Sequence, residues 1–251
     1  MLSFIGMGLY DEKSVTIRGY EAIKEADLVF LERYTSKLFG TTIEDLNRYY
    51  NTNIETLRRK DIELEPEKIL EFAKRKKVAI LIAGDPMVAT THVDLRLRAH
   101  DLGIETSIIH GTSVMTAICG LTGLQNYRFG KSTTIPFDSF EKLPPSVCQT
   151  IIENQERRLH TLVYLDIDME NDRYMLGEEA ANKLVYFDEN GIGIVIARAG
   201  SQNPSIVTGR FKDLAEKNYG DPLHIMVVPG ELHHMEIESL NAFSETLTVL
   251  E

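Results

Sequence analysis

The sequence predicts an α/β protein built of two α/β domains, with a mainly parallel sheet. Three observations predict it: short apolar runs alternate with amphipathic stretches along the chain, several of those runs stop on glycine, and the alternation restarts near Thr112. Strand–helix alternation is the pattern of a parallel sheet whose crossover helices cover its faces. The expected division is an N-terminal domain over 1–112, carrying the glycine-bearing turns, and a C-terminal domain over 113–251. A chain of 251 residues has room for both.

The first strand is expected at Leu2 to Ile5, ended by Gly6-Met7-Gly8. Ser14 is expected to cap the next helix, whose apolar face would carry Val15, Ile17, Ile23 and Ala26. Asp27 to Leu31 reads as a strand and Thr41 to Tyr50 as a short helix. Pro66 fits the first turn of a helix through Ile69, Leu70 and Ala73, where its missing amide proton costs nothing. Val78 to Ala83 is apolar on both faces, as a central parallel strand should be, and stops at Gly84-Asp85-Pro86. A helix from Thr91 to Asp101 leads to a strand at Ile104 to Ile109, then Gly111 and a helix capped by Ser113. In the second half, strands are expected at Ser132 to Ile135, Thr161 to Asp166, Ile192 to Ala197 and Leu223 to Val228. The helices are expected at Pro145 to Arg158, Gly177 to Phe187 and Glu231 to Thr246.

Composition narrows the function classes. The hydrophobic fraction of 43% suits a globular core. A net charge of -11 argues against nucleic acid as the ligand, because phosphates demand a basic footprint. The basic runs Arg58-Arg59-Lys60 and Lys74-Arg75-Lys76-Lys77 read as solvated helix ends. Two cysteines without a Cys-x-x-Cys fit a reduced compartment. The N-terminal apolar run has no basic residues before it, unlike a signal peptide, and no run is long enough to span a bilayer. A cytoplasmic location is expected.

Three glycine-bearing turns fall at the carboxyl ends of expected strands: Gly6-Met7-Gly8-Leu9, Gly84-Asp85-Pro86-Met87-Val88 and His110-Gly111-Thr112-Ser113-Val114. Ligands of open parallel sheets bind at that edge. Glycine lets a ligand approach the backbone, Asp85 supplies a carboxylate, and Ser113 brings a hydroxyl to the same mouth. A dinucleotide site is the rival, with Glu32 as the ribose ligand. Asp11 stands where the fingerprint needs a third glycine, and the following helix starts too late.

Taken together, Leu2-Ser3-Phe4-Ile5-Gly6-Met7-Gly8-Leu9, Ala83-Gly84-Asp85-Pro86, His110-Gly111-Thr112-Ser113, Tyr164-Leu165-Asp166-Ile167, Ala197-Arg198-Ala199-Gly200-Ser201 and the run from His224 to His233 cover nearly the whole chain in order. This set resembles the two-domain methyltransferase family that modifies tetrapyrroles, and most closely its diphthine synthase branch. Tetrapyrrole enzymes usually carry Gly-Pro-Gly-Asp-Pro in the first loop, where this chain has Gly8-Leu9-Tyr10-Asp11. The resemblance implies S-adenosylmethionine as cofactor, with S-adenosylhomocysteine as product, held in a cleft between the domains. The matching positions are Leu9, Asp85, Val88, Ser113, Val114, Leu165, Ala199 and His224. It also implies a homodimer, and as acceptor the 3-amino-3-carboxypropyl group on a histidine of translation elongation factor 2. The alternative reading is a C-methyltransferase acting on a tetrapyrrole, and a third is a non-catalytic module that binds a nucleotide-like ligand.

No residue is singled out as general base, and no metal is expected. His233-His234 with Glu236 and Glu238 lacks a third ligand on one helix face and reads as a solvated face. His92, His100 and His110 form no ligand cluster by spacing, and Ser113 with His110 lacks the Gly-x-Ser-x-Gly turn of a hydrolase.

Overall fold

The computed structural model describes residues 1–138 and 143–248. It divides into two compact units. The first is Met1–Val114 with Met169–Asn171, and the second holds the other described residues.

The first unit is a five-stranded sheet of β1 (Leu2–Gly6), β2 (Leu28–Glu32), β3 (Ile54–Leu57), β4 (Val78–Ile82) and β5 (Thr106–Ile109). The order is β3-β2-β4-β1-β5 and every pairing is parallel. The helices α1 (Ile17–Glu25), α2 (Ile43–Tyr50), α3 (Glu67–Ala73) and α4 (His92–Asp101) lie between the strands in sequence. Successive residues of β4 feed opposite cores: Ile80 and Ile82 pack with Phe4, Ile69 and Leu95, while Ala79 and Leu81 pack with Ile5, Ile23 and Leu46. All five residues of β4 are buried, the burial that a strand covered on both faces requires.

Local chemistry sets the helix starts, and two expectations are corrected there. The cap of α1 is Thr16, whose hydroxyl accepts from the Gly19 amide at 3.1 Å, and not Ser14. Ser14 closes a 3-10 turn (Glu12–Ser14) and donates to Asp11 Oδ1. Ile17, expected on the apolar face, is the first residue of the helix and faces solvent at 81% exposure, while Ile23 stays in the core. The short strand β3 was not expected: only its end residues are buried, as suits an edge strand with little apolar signal.

The second unit contains α5 (Val114–Thr122, its first residue in the first unit), β6 (Thr133–Ile135), α6 (Pro145–Glu156), β7 (Thr161–Leu165), β8 (Ile167–Asp168), β9 (Arg173–Tyr174), α7 (Gly177–Val185), β10 (Ile192–Ala197), β11 (Ser205–Arg210), α8 (Phe211–Ala215), β12 (His224–Val228), α9 (His234–Phe243) and β13 (Glu245–Thr246). Its main sheet runs β13-β11-β10-β12-β7-β6. Here the expectation of a mainly parallel sheet fails. The pairs β10–β11, β10–β12 and β12–β7 are antiparallel, and only β6–β7 and β11–β13 are parallel. Strands β8, β9, β11 and β13 were absent from the sequence reading, and β11 explains part of this. Only residues 198–204 separate it from β10, too few for the crossover that a parallel neighbour needs. Helix α9 is also shorter at both ends than the expected Glu231 to Thr246.

Candidate functional site

The three glycine turns meet at the carboxyl edge of the first sheet. Gly84 N–H donates to the Gly8 carbonyl at 2.6 Å, Gly8 N–H donates back to Gly84, and Met7 N–H reaches the Ile82 carbonyl at 2.8 Å. Gly8 and Gly84 both have left-handed φ, +73° and +76°. The turns touch through bare backbone. A Cβ on Gly6 would fall 2.5 Å from the Gly111 nitrogen, and one on Gly111 would fall 2.4 Å from the Gly84 carbonyl oxygen. These contacts explain why glycine stands at Gly6 and Gly111. A Cβ on Gly84, by contrast, would meet nothing within 4 Å. The cradle is packed shut on its inner side and open on its outer side, so a ligand can come directly against the backbone.

Asp85 sits in this cradle at 8% exposure. Its Oδ1 accepts from Met87 N–H at 2.9 Å, and its Oδ2 lies 2.7 Å from His110 Nδ1. The Asp85 side chain is thus locked between its own turn and the third turn, while the His110 side chain remains 73% exposed. Sequence reasoning passed over this pair. The two residues are far apart in the chain, and only the order β4-β1-β5 brings their loops together. The Gly84–Val88 turn is braced from behind by His92, which is fully buried. Its Nδ1 lies 3.0 Å from the Pro86 carbonyl and 2.8 Å from Thr90 Oγ1. Leu9, Val88 and Val114 are half-buried on the three turns, and Ser113 is buried immediately before α5.

Beside this edge, a cavity of about 270 Å³ is lined by Glu32, Lys37, Thr41, Glu44, Leu46 and Ala83. Glu32 is buried at its wall. The carboxylate accepts from the Tyr34 and Thr35 amides and from the Thr35 hydroxyl, so it clamps its own loop.

The other three expected positions lie on the second unit, at one edge of its sheet. Ala197, two residues before Ala199, pairs with His224, and the register of β7 against β12 brings Leu165 opposite His224. Leu165 belongs to the apolar core at 7% exposure. The His224 ring has both nitrogens occupied: Nδ1 accepts from Gly177 N–H at 2.9 Å, and Nε2 faces the Asp221 carbonyl at 3.1 Å. Burial pushes its pKa below that of a free histidine. A ligand can therefore meet His224 through its backbone or ring edge, not by a new ring-nitrogen bond.

The solvated reading of the His233–Glu238 face holds for His233, His234 and Glu238, which are exposed, and fails for Glu236. Glu236 is fully buried. It accepts from the Gln125 amide at 2.9 Å, the His233 amide at 2.8 Å and His160 Nε2 at 3.0 Å. His160 is also fully buried, and its Nδ1 accepts from Gly230 N–H. Burial pushes Glu236 up, but the amide and imidazole donors outweigh it and hold the carboxyl below its ordinary pKa; burial lowers His160. A capping glutamate three residues after His233 was visible in the sequence, but its buried histidine partner was not.

Residues 1–215 match the family model described as Tetrapyrrole (Corrin/Porphyrin) Methylases. The chain is similar to the diphthine synthase of Haloquadratum walsbyi, 50% identical over 98% of this chain and 95% of that protein. It is likewise 50% identical to the diphthine synthase of Haloarcula marismortui, over 96% of this chain and 97% of the relative. Among solved structures, a crystal structure of diphthine synthase superposes with a TM-score of 0.91 at 40% identity, covering 98% of this chain and 96% of that one.

Proposed function

Because this chain belongs to the tetrapyrrole methylase family, and within it to the diphthine synthases, we propose that it methylates the amino nitrogen of the 3-amino-3-carboxypropyl-histidine of translation elongation factor 2. The observation that carries the reading is the cradle of three glycine turns, closed behind and open in front, in a chain matched over nearly its full length by diphthine synthases.

The cradle fits S-adenosylmethionine. Backbone amides and carbonyls freed of side chains can take polar groups of the cofactor, and Asp85 keeps lone pairs beyond those it uses. We assign its contacts to Leu9, Asp85, Val88, Ser113 and Val114 on the first unit and to Leu165, Ala199 and His224 on the second, with the division between domains after 112. When bound, S-adenosylmethionine supplies a methyl group already activated on a sulfonium. The chain's own task is to orient the acceptor nitrogen and to exclude competing water. The rigid backing of the Asp85 turn by His92 serves that task.

The reading carries with it a cytoplasmic location and a homodimer. It also makes electrostatics part of partner choice: at a net charge of -11, a basic patch on elongation factor 2 would speed the encounter, and added salt would slow it. The test is methyl transfer to elongation factor 2 bearing the aminocarboxypropyl histidine, read by mass. A gain in methyl mass on that residue is expected. Protein that binds the cofactor but leaves the factor unchanged, while methylating a tetrapyrrole at carbon, would overturn the reading in favour of the alternative.

A further inference from the structure

The acceptor amine is protonated near neutral pH and must lose a proton before its nitrogen can attack. The mouth of the cradle holds one arrangement suited to that task. The buried Asp85 carboxylate lies 2.7 Å from His110 Nδ1, and the imidazole is otherwise turned to solvent. A carboxylate accepts only, so Nδ1 carries the hydrogen and Nε2 is left with an outward lone pair. The Asp85 carboxylate is itself fixed by Met87 N–H, so the ring is held in one orientation. Among the described residues, Asp85 is the charged group against the ring.

We propose that His110 is the general base of the reaction and that Asp85 is its positioning residue. The inference rests on the acceptor proposed above. The acceptor ammonium gives one proton to His110 Nε2. The N–H bond breaks, its electron pair stays on nitrogen, and the imidazolium passes the proton to bulk water at its exposed edge. Each further methylation of the same nitrogen would use the same relay, because every cycle leaves a cationic amine.

Two measurements test this. First, nitrogen NMR of the protein alone should show neutral His110 as the Nδ1–H tautomer, and Asp85→Ala should shift it towards Nε2–H. Second, His110→Asn should cut kcat at pH 7 by about 10²–10⁴-fold, the usual contribution of a general base. S-adenosylmethionine affinity, by calorimetry, should stay within about threefold. The deficit should shrink as pH rises and the amine frees itself, and imidazole added to His110→Gly should restore part of the rate. A cofactor affinity that falls in step with activity would make His110 a cofactor contact. A deficit constant with pH, or an Nε2–H tautomer in the native protein, would equally overturn the proposal. If wild-type protein transfers no methyl group to elongation factor 2, the function itself falls and the role of His110 falls with it. Normal transfer by His110→Asn would sink this inference alone.

Discussion

The Asp85 carboxylate of the first unit and the Glu236 carboxylate of the second are held in opposite ways. In the first, the polar groups at the carboxyl edge of the sheet are fixed on one side and free on the other. Asp85 is held by Met87 and turns His110 outward, and Gly84 leaves its backbone open. In the second, Glu236, His160 and His224 are satisfied inward. Glu236 takes hydrogen bonds from Gln125, His233 and His160, and both nitrogens of His160 and His224 are occupied. A buried charge with all its donors supplied stabilises a fold by avoiding the cost of being unpaired. A half-supplied one keeps capacity for a ligand or a proton. The first arrangement is suited to chemistry and the second to stability.

Removing Glu236 gives the largest expected effect. Glu236→Ala would leave the buried His160 Nε2 and the part-buried Gln125 and His233 amides without an acceptor and would remove the ion-pair partner of Arg128, and breaking such a network around a buried charge costs about 3–5 kcal/mol. Urea unfolding should show that loss, while S-adenosylmethionine affinity of the folded fraction stays near wild type. A large affinity loss in well-folded protein would erase the distinction between the units. Gly111→Ala attacks the other side of the comparison. Its Cβ would fall against the Gly84 carbonyl, so the turns must separate, at a cost of about 1–3 kcal/mol. Because that strain falls within the cradle, calorimetry should show cofactor affinity down by about tenfold or more. A variant of unchanged affinity would mean that the three turns need not meet.

The smallest expected effect is on the acid side. His160 and His224 have folded pKa values pushed below that of a free histidine, chiefly by burial. Below about pH 6.5 the unfolded chain therefore binds more protons than the native one, and stability falls as pH drops through the folded values. Glu236, also lowered, adds stability that is present above its unfolded pKa and is lost as pH falls through its folded value. Thermal unfolding from pH 8 to pH 4 should show a falling Tm. Glu236→Gln should flatten the lower part of the decline, and a Tm that rises on acidification would contradict the assigned causes.

Legibility in the sequence followed the range of the interaction. Val78 to Ile82 and Leu2 to Gly6 announced themselves because both faces of those strands are buried. The glycine turns were visible because each strand ends on one. The cap of α1 was read at Ser14, but Ser14 is engaged with Asp11 and the hydroxyl that takes the Gly19 amide is that of Thr16. The edge strand β3 left little apolar signal: it is four residues long, and only Ile54 and Leu57 are buried, one on each side of the sheet. Of the site, the three turns were readable and the His110–Asp85 bond was not.

The sequence by itself determined the strongest local terms: where the fully buried strands and the longer helices form, where the backbone is bare, and where a carboxylate stands after a strand. Periodicity, caps and glycine act over a few residues, so they survive without any knowledge of the fold. Only the tertiary structure decided which loops meet, that the second sheet runs largely antiparallel, and that Glu236 is a buried anchor, not a solvated face. Those outcomes depend on strand order and on pairs distant in the chain. That order left His110 exposed at the cradle with its ring aligned by Asp85.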